Sequence, residues 1–175
     1  MKVILNINYK LSKLFSVVTI MLLTQSCESF VEVDLPDSQL TAEVVFNDIA
    51  TAEAAMANIY SKLVNQTLVC GNTKGISILL GSYTDELHTY NTAIGEFQFY
   101  QNSLIATHLD IGAMWNNSYN LIYAANAIVE SLEQSPISEQ EKNRLKGEAL
   151  FMRAYIHFHL LNLFGEIPYV TTTNY

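Results

Sequence analysis

The sequence is poor in several residue types, and each shortage excludes a class of protein. Only two cysteines and three prolines occur in 175 residues, which excludes disulfide-rich scaffolds and proline-rich or collagen-like polymers. Nine lysines and arginines stand against 17 acidic residues, a formal net charge of −8. Because such a surface repels phosphate backbones, we expect no nucleic-acid partner.

Apolar side chains, in contrast, are abundant. They make up 50% of the residues, whereas charged residues make up 15%, so a packed core is expected rather than disorder. The length suits one domain or part of one. Since no glycine-rich phosphate loop, Gly-x-Ser-x-Gly or His-Glu-x-x-His motif is present, the sequence favours a protein that is not an enzyme and has no cofactor.

Residues 1–26 have the pattern of an export signal. Three lysines precede the apolar run 14–23, which gives way to polar residues just before Cys27. The run is shorter than the ~20 residues that a transmembrane helix needs. With Ser26 directly before Cys27, the segment resembles a bacterial lipoprotein signal. We therefore expect Cys27 to be lipidated, with ordinary secretion and a free thiol as the alternative.

Residues 27–40 are predicted to form an acidic tether. The stretch contains four acidic residues and Pro36, and it lacks helical periodicity. Acyl chains on Cys27 contribute ~0.8 kcal/mol for each buried CH₂, so they would anchor the domain while leaving it in water. Acidic residues at this place are similar to the surface-export signal of Bacteroidetes-like lipoproteins, which implies exposure outside the cell.

Residues 41–175 are predicted to be mainly helical. A helix over 48–66, capped by Asp48 or Thr51, is indicated by apolar residues on one face: Ala55, Met56, Ile59, Tyr60 and Leu63. A second helix is predicted over 76–87, after a break bracketed by Gly71 and Gly75. Residues 88–104 are predicted to be a long loop with a short extended piece at 97–100.

Two longer helices follow in the prediction. The first carries an aromatic and apolar stripe: Trp115, Tyr119, Ile122, Asn126 and Val129. Helical spacing favours core packing of Trp115, Tyr119 and Tyr123 over stacking on a sugar. The second begins at a capping box of Ser138 and Glu141 and runs to Phe164, where Gly165 and Pro168 end it. Residues 169–175 look extended.

Long amphipathic helices with short connections predict an all-α fold of antiparallel helix pairs, arranged as in a solenoid. Three local patterns then coincide: Cys27, the Trp115-x-x-x-Tyr119-x-x-Ile122-x-x-Ala125-Asn126 stripe, and Gly147-Glu148-Ala149-x-Phe151-x-Arg153-Ala154-Tyr155 leading to Phe164-Gly165-Glu166-Ile167-Pro168. Together they resemble the RagB/SusD family of nutrient-uptake outer-membrane lipoproteins. The resemblance covers essentially the whole mature chain, with residues 41–175 as the N-terminal part of a SusD-like helical domain. Because it covers only the N-terminal part of the family, we expect a truncated chain.

The resemblance implies tetratricopeptide-like helix pairs held on the outside of the outer membrane by lipid. It also implies a SusC-like TonB-dependent transporter as partner and an oligosaccharide or peptide as ligand. Two alternatives stay open: a helical scaffold that docks to the transporter without a ligand site, and a truncated product without function.

Aromatic residues of the predicted loop are the candidates for ligand contact: Tyr90, Phe97, Phe99 and Tyr100. Binding residues concentrate on loops, although packing within the loop would also explain these rings.

The remaining polar candidates are better explained by structure. Asp85, Glu86 and His88 do not converge on a helix, and His157 and His159 point to different faces, so no metal site is predicted. Glu148 and Arg153 are five residues apart and so do not have the standard i, i+4 spacing, yet each can reach a neighbouring helix. A structural ion pair is expected for them rather than a catalytic role. Cys70 is expected to be a small buried hydrophobe.

Overall fold

The computed structural model describes residues 42–90 and 94–174. In these ranges the helices are α1 (Ala42–Val45), α2 (Ile49–Gln66), α3 (Ile76–Tyr83), α4 (Ile94–Tyr100), α5 (Leu109–Leu132) and α6 (Glu139–Phe164). The described ranges contain no strand, which confirms the all-α prediction. None of the helices found there is long and apolar enough to cross a membrane. The predicted signal, Cys27 and the acidic tether lie outside these ranges.

The two longest helices, α5 and α6, pack against each other in antiparallel orientation. The Trp115 and Phe164 rings lie 5.2 Å apart at one end of the pair, and Lys146 approaches Glu133 to 3.7 Å at the other. Helix α2 packs against both. The core between them consists of side chains that are at most 2% exposed, among them Met56, Ile59, Leu121, Ile122, Leu145, Ile156 and Leu160.

The predicted ends of the long helices are confirmed. The Asp48 carboxylate accepts a hydrogen bond from the Ala50 amide at 2.8 Å and so caps α2. The Ser138 hydroxyl accepts from the amide of Glu141 at the start of α6. Gly165 ends α6 with a φ of 79°, a conformation that residues with a Cβ rarely adopt.

The predicted stripe of α5 faces the core. The Trp115 and Tyr119 rings lie 4.9 Å apart, and the Tyr119 hydroxyl donates to the Pro168 carbonyl at 2.8 Å. Ile122 and Asn126 are fully buried, whereas Tyr123 is 46% exposed. Core packing is therefore confirmed for Trp115 and Tyr119, and Tyr123 lies nearer the surface.

The residues after α6, 166–174, run along the groove between α5 and α6 and are called the C-terminal segment. The buried Asn126 amide donates to the Thr172 carbonyl at 3.0 Å and accepts from Arg153 at 2.8 Å. Arg153 also donates to the Thr171 carbonyl at 3.1 Å. Two hydrogen bonds from Thr173 hold the pKa of Glu130 below its usual value. Side chains of both helices thus bind the backbone of this segment.

His157 belongs to the same groove, and its role as a packing residue is confirmed. The ring is 6% exposed, and its Nδ1 lies 2.9 Å from the Arg153 carbonyl. Burial lowers the pKa of His157, which favours the neutral ring, and Nε2 of the neutral ring can accept from the Val170 amide. Cys70 is likewise buried, as expected, with its Sγ 3.1 Å from Oδ1 of Asn72.

Three local expectations need correction. Helix α3 ends at Tyr83 rather than at residue 87, because Thr84 caps it and Asp85 takes a φ of 62° that a helix cannot continue. Residues 97–100 are not extended; they belong to helix α4. Its seven residues lie against α3, so tertiary contact rather than local propensity stabilises the helix.

The third correction concerns Glu148 and Arg153, which have different partners. Glu148 pairs with Arg144 at 3.0 Å, one turn earlier on α6, and accepts from the Tyr60 hydroxyl of α2. Arg153 binds Asn126 of α5 instead. Both residues do reach a neighbouring helix, so their structural role is confirmed although the expected ion pair is wrong.

One face of α6 carries large apolar side chains that remain exposed, and we call it the outer face of α6. Its four members recur every three or four residues, with exposed fractions of 36–63%: Phe151, Tyr155, Phe158 and Leu161. The opposite face of the same helix packs on α5 and α2. The C-terminal half of α6 therefore carries large apolar side chains on two faces, one buried in the core and one exposed.

Two adjacent leucines of α6 allow a matched test of this packing. Leu160 is fully buried and Leu161 is 53% exposed. We expect Leu160→Ala to lower the free energy of unfolding by about 2–5 kcal/mol, because it leaves a cavity in the core. Leu161→Ala should change it by less than about 0.5 kcal/mol. Urea unfolding followed by circular dichroism measures both values, and equal losses would contradict this assignment of the two faces.

Candidate functional site

The chain turns back on itself directly after α3. The Leu87 amide donates to the Gly81 carbonyl at 2.9 Å. A Cβ on Gly81 would come within 2.8 Å of the Leu87 side chain, which would have to shift to admit a larger residue there. Asp85, at the corner, takes the left-handed backbone conformation that aspartate tolerates better than most residues. This turn directs residues 88–90 towards α4.

Four aromatic side chains meet where the turn approaches α4, and we call them the aromatic cluster: His88, Tyr90, Phe97 and Tyr100. The Tyr100 hydroxyl lies 2.8 Å from Nδ1 of His88, and the two rings meet edge to face at 5.0 Å. The Tyr90 ring also contacts His88, with the two ring centroids 4.9 Å apart. The Phe97 and Tyr100 rings are nearly parallel, 6.1 Å apart. His88 therefore joins the two segments.

The members of the cluster differ in exposure, and Tyr90 is the most accessible. Its side chain is 91% exposed, whereas Phe97 and Tyr100 are half-buried. An exposed tyrosine presents both an apolar ring face and a polar hydroxyl. Such a ring can stack on the apolar face of a sugar or on a peptide side chain.

Phe99 lies apart from the cluster. It is 3% exposed and contacts the ring of His108 edge to face at 5.1 Å. It also lines an apolar cleft of about 350 Å³ together with Leu80, Tyr83, Leu104, Ile111, Met114, Leu163 and Phe164. The sequence groups Phe99 with Phe97 and Tyr100, but the helix turns its side chain towards the core.

Polar contacts attach α4 to the start of α5. Nδ1 of His108 accepts from the Asp110 amide, which leaves Nε2–H to donate to the Gly95 carbonyl at 3.0 Å. Lys74 lies 3.1 Å from Asp110 and 3.5 Å from Glu96. Burial lowers the pKa of Lys74, but the hydrogen bond and charge of Asp110 and the charge of Glu96 outweigh it and raise the pKa. These contacts hold α4, and with it the cluster, in place.

The structure brings together three of the four predicted ligand residues and adds His88. Tyr90 and Tyr100 both contact the ring of His88. No spacing in the sequence predicts that these three residues meet. The sequence analysis considers His88 only together with Asp85 and Glu86. Nothing in the sequence identifies it as a partner of the two tyrosines. Within the described ranges no three His, Cys, Asp or Glu side chains are placed to hold a metal ion.

Comparison with known proteins gives a consistent result. A SusD-like family model, described as "Starch-binding associating with outer membrane", matches residues 29–175. The chain is 25% identical over 156 residues to SusD-like protein P25 of Formosa agariphila, covering 83% of this chain and 29% of that protein. It is also 25% identical over 163 residues to a SusD-like protein of Bacteroides ovatus, covering 89% of this chain and 28% of that one.

The chain thus spans less than a third of the length of these curated relatives. No solved structure shows significant similarity to it.

The different burial of Phe99 and Tyr90 can be tested by stability. We expect Phe99→Ala to cost about 3–5 kcal/mol of unfolding free energy, because it empties a core position. Tyr90→Ala should stay within about 0.5 kcal/mol, because the ring is exposed. Thermal and urea denaturation of both variants measure the difference. A stability loss from Tyr90→Ala as large as that from Phe99→Ala would show that Tyr90 is a packing residue.

Proposed function

The chain belongs to the SusD-like family, and from this membership we propose that it is a cell-surface lipoprotein that captures nutrients. In this proposal it binds an oligosaccharide or peptide and presents it to a SusC-like TonB-dependent transporter in the outer membrane. The role is one of binding and not of catalysis. The family description, which names starch binding and the outer membrane, supports the general assignment.

The observation that carries the ligand-binding part of the proposal is the exposure of Tyr90 within the aromatic cluster. A ring that is 91% exposed contributes almost nothing to the core, yet its contact with His88 gives it a defined neighbour. His88 is in turn held by Tyr100. A partly ordered, accessible ring is what stacking on a ligand requires, because little conformational entropy is then lost on binding.

The outer face of α6 favours the second candidate function, a scaffold that docks to the transporter without a ligand of its own. Exposed apolar patches of this kind mark interaction sites in many proteins. The two functions differ in an observable way. A scaffold copurifies with a large outer-membrane barrel and retains no glycan or peptide, whereas a binding protein retains ligand when it is purified alone.

Ligand binding is tested by titrating the protein with soluble starch oligosaccharides, other glycans and a peptide pool. With the ligand that binds, Tyr90→Ala should raise Kd about three- to tenfold, since one aromatic contact is worth ~0.5–1.5 kcal/mol. Tyr169→Ala serves as the matched control, because Tyr169 is also a strongly exposed tyrosine, at 73%, but lies on the C-terminal segment. Calorimetry measures both values. An unchanged Kd for Tyr90→Ala would remove Tyr90 from the site, and no binding by the parent protein would overturn the ligand-binding function.

Membrane attachment is proposed to depend on Cys27 alone. Replacement Cys27→Ser removes the thiol that would carry the acyl chains, so the variant should move from the membrane to the soluble fraction. Cell fractionation followed by immunoblotting measures the distribution, and Cys70→Ser is the control for loss of a cysteine. If Cys27→Ser still sediments with membranes, the lipid anchor is wrong.

A further inference from the structure

Basic residues are absent from the part of the chain that carries the aromatic cluster. Between Lys74 and Lys142 the sequence contains no lysine or arginine. The same stretch contains acidic residues on both sides of Tyr90: Asp85, Glu86, Glu96 and Asp110. It includes all of α3, α4 and α5. Any ligand that touches the cluster therefore meets a surface whose fixed charges from this stretch are negative.

The lysine that directly precedes this stretch in sequence does not change this balance. Lys74 is in contact with two carboxylates, those of Asp110 at 3.1 Å and Glu96 at 3.5 Å. Two negative groups thus surround one positive group, and the ammonium ion is already engaged. A sulfate or carboxylate group on a ligand would have to displace one of these partners to reach it.

Two further acidic residues are exposed close to the cluster. Asp85 and Glu86 lie in the turn after α3, and both are exposed. Tyr90 follows Glu86 by four positions along the chain, so their Cα atoms are at most about 14 Å apart. At low ionic strength, where the screening length reaches about 30 Å, the Glu86 carboxylate acts on a charged ligand at Tyr90.

We propose that the surface around the aromatic cluster selects uncharged glycans and excludes sulfated and uronic-acid glycans. This inference rests on the proposed ligand-binding function and specifies its ligand class. Anionic glycans are recognised by arginine and lysine, which form charge-assisted hydrogen bonds to sulfate and carboxylate oxygens. Here no such side chain is free in the stretch from α3 to α5, and the neighbouring carboxylates repel anions. A neutral sugar needs only the ring face and hydroxyl groups that the cluster provides.

The test compares neutral polysaccharides with the same polymers after sulfation, so that backbone and length are matched. Starch, laminarin and mannan, each neutral and sulfated, are titrated at pH 8. We expect the neutral polymer that binds to lose at least tenfold in affinity when sulfated, measured at 10 mM NaCl. At 200 mM NaCl the difference should shrink, because the repulsion is screened.

A charge-reversal variant assigns the effect to this surface. Glu86→Lys should improve binding of the sulfated polymer at least fivefold at 10 mM NaCl. Glu133→Lys makes the same change in net charge at the far end of α5, about 35 Å from Asp110 along the helix, and should give no such gain. Equal gains from both variants, or no gain from Glu86→Lys, would overturn the inference.

The remaining outcomes separate the inference from the function beneath it. If the parent protein binds the sulfated polymer as tightly as the neutral one, the selectivity is wrong while the ligand-binding function stands. If it binds only sulfated polymers, the inference is likewise overturned. If it binds no polysaccharide in either form, the glycan-binding function fails first, and the inference fails with it.

Discussion

The buried amide of Asn126 is the point on which the arrangement of α5, α6 and the C-terminal segment depends. An amide at 0% exposure is costly unless its donors and acceptor are used. Here Arg153 of α6 supplies the donor, and the carbonyl of Thr172 is an acceptor. A shift of α6 along α5 would separate Arg153 from Asn126 and leave the buried amide without this donor, so the bond favours the observed alignment. Helix α2 packs against both α5 and α6. The helix that carries Phe97 and Tyr100, α4, is attached to the start of α5 by the hydrogen bond between His108 and the Gly95 carbonyl.

The long helices could be predicted because their signals are local. The spacing of apolar residues predicted which faces of the helices are buried. The hydroxyl of Ser138 and the backbone freedom of Gly165 indicated the two ends of α6. Helix α4 was missed because its signals are not local. Its aromatic residues suit a strand as well as a helix, and its short length gives little intrinsic stability. What holds it is contact with α3 and α5, which no spacing within residues 94–100 reveals. For the same reason the partners of Glu148 and Arg153 could not be read from the distance between them.

The candidate site shows the same division. Aromatic composition was enough to select Tyr90, Phe97 and Tyr100, because rings in a polar connection stand out in any sequence. Composition was not enough to distinguish the buried Phe99 from the accessible rings, since its burial depends on which face of α4 packs against the core. The sequence did not predict that His88 contacts these rings, because its contact with Tyr100 depends on the turn that the chain makes around Asp85.

The outer face of α6 has a consequence for handling the protein. The exposed rings affect the solubility of the protein but contribute little to its folding stability, because the side chains that pack into the core lie on the opposite face of α6. Sulfate and phosphate salts strengthen apolar association, whereas moderate urea weakens it before a well-packed core unfolds. Buffer composition will therefore change the association state of a chain whose helices stay intact, and loss of protein to precipitate is no measure of misfolding.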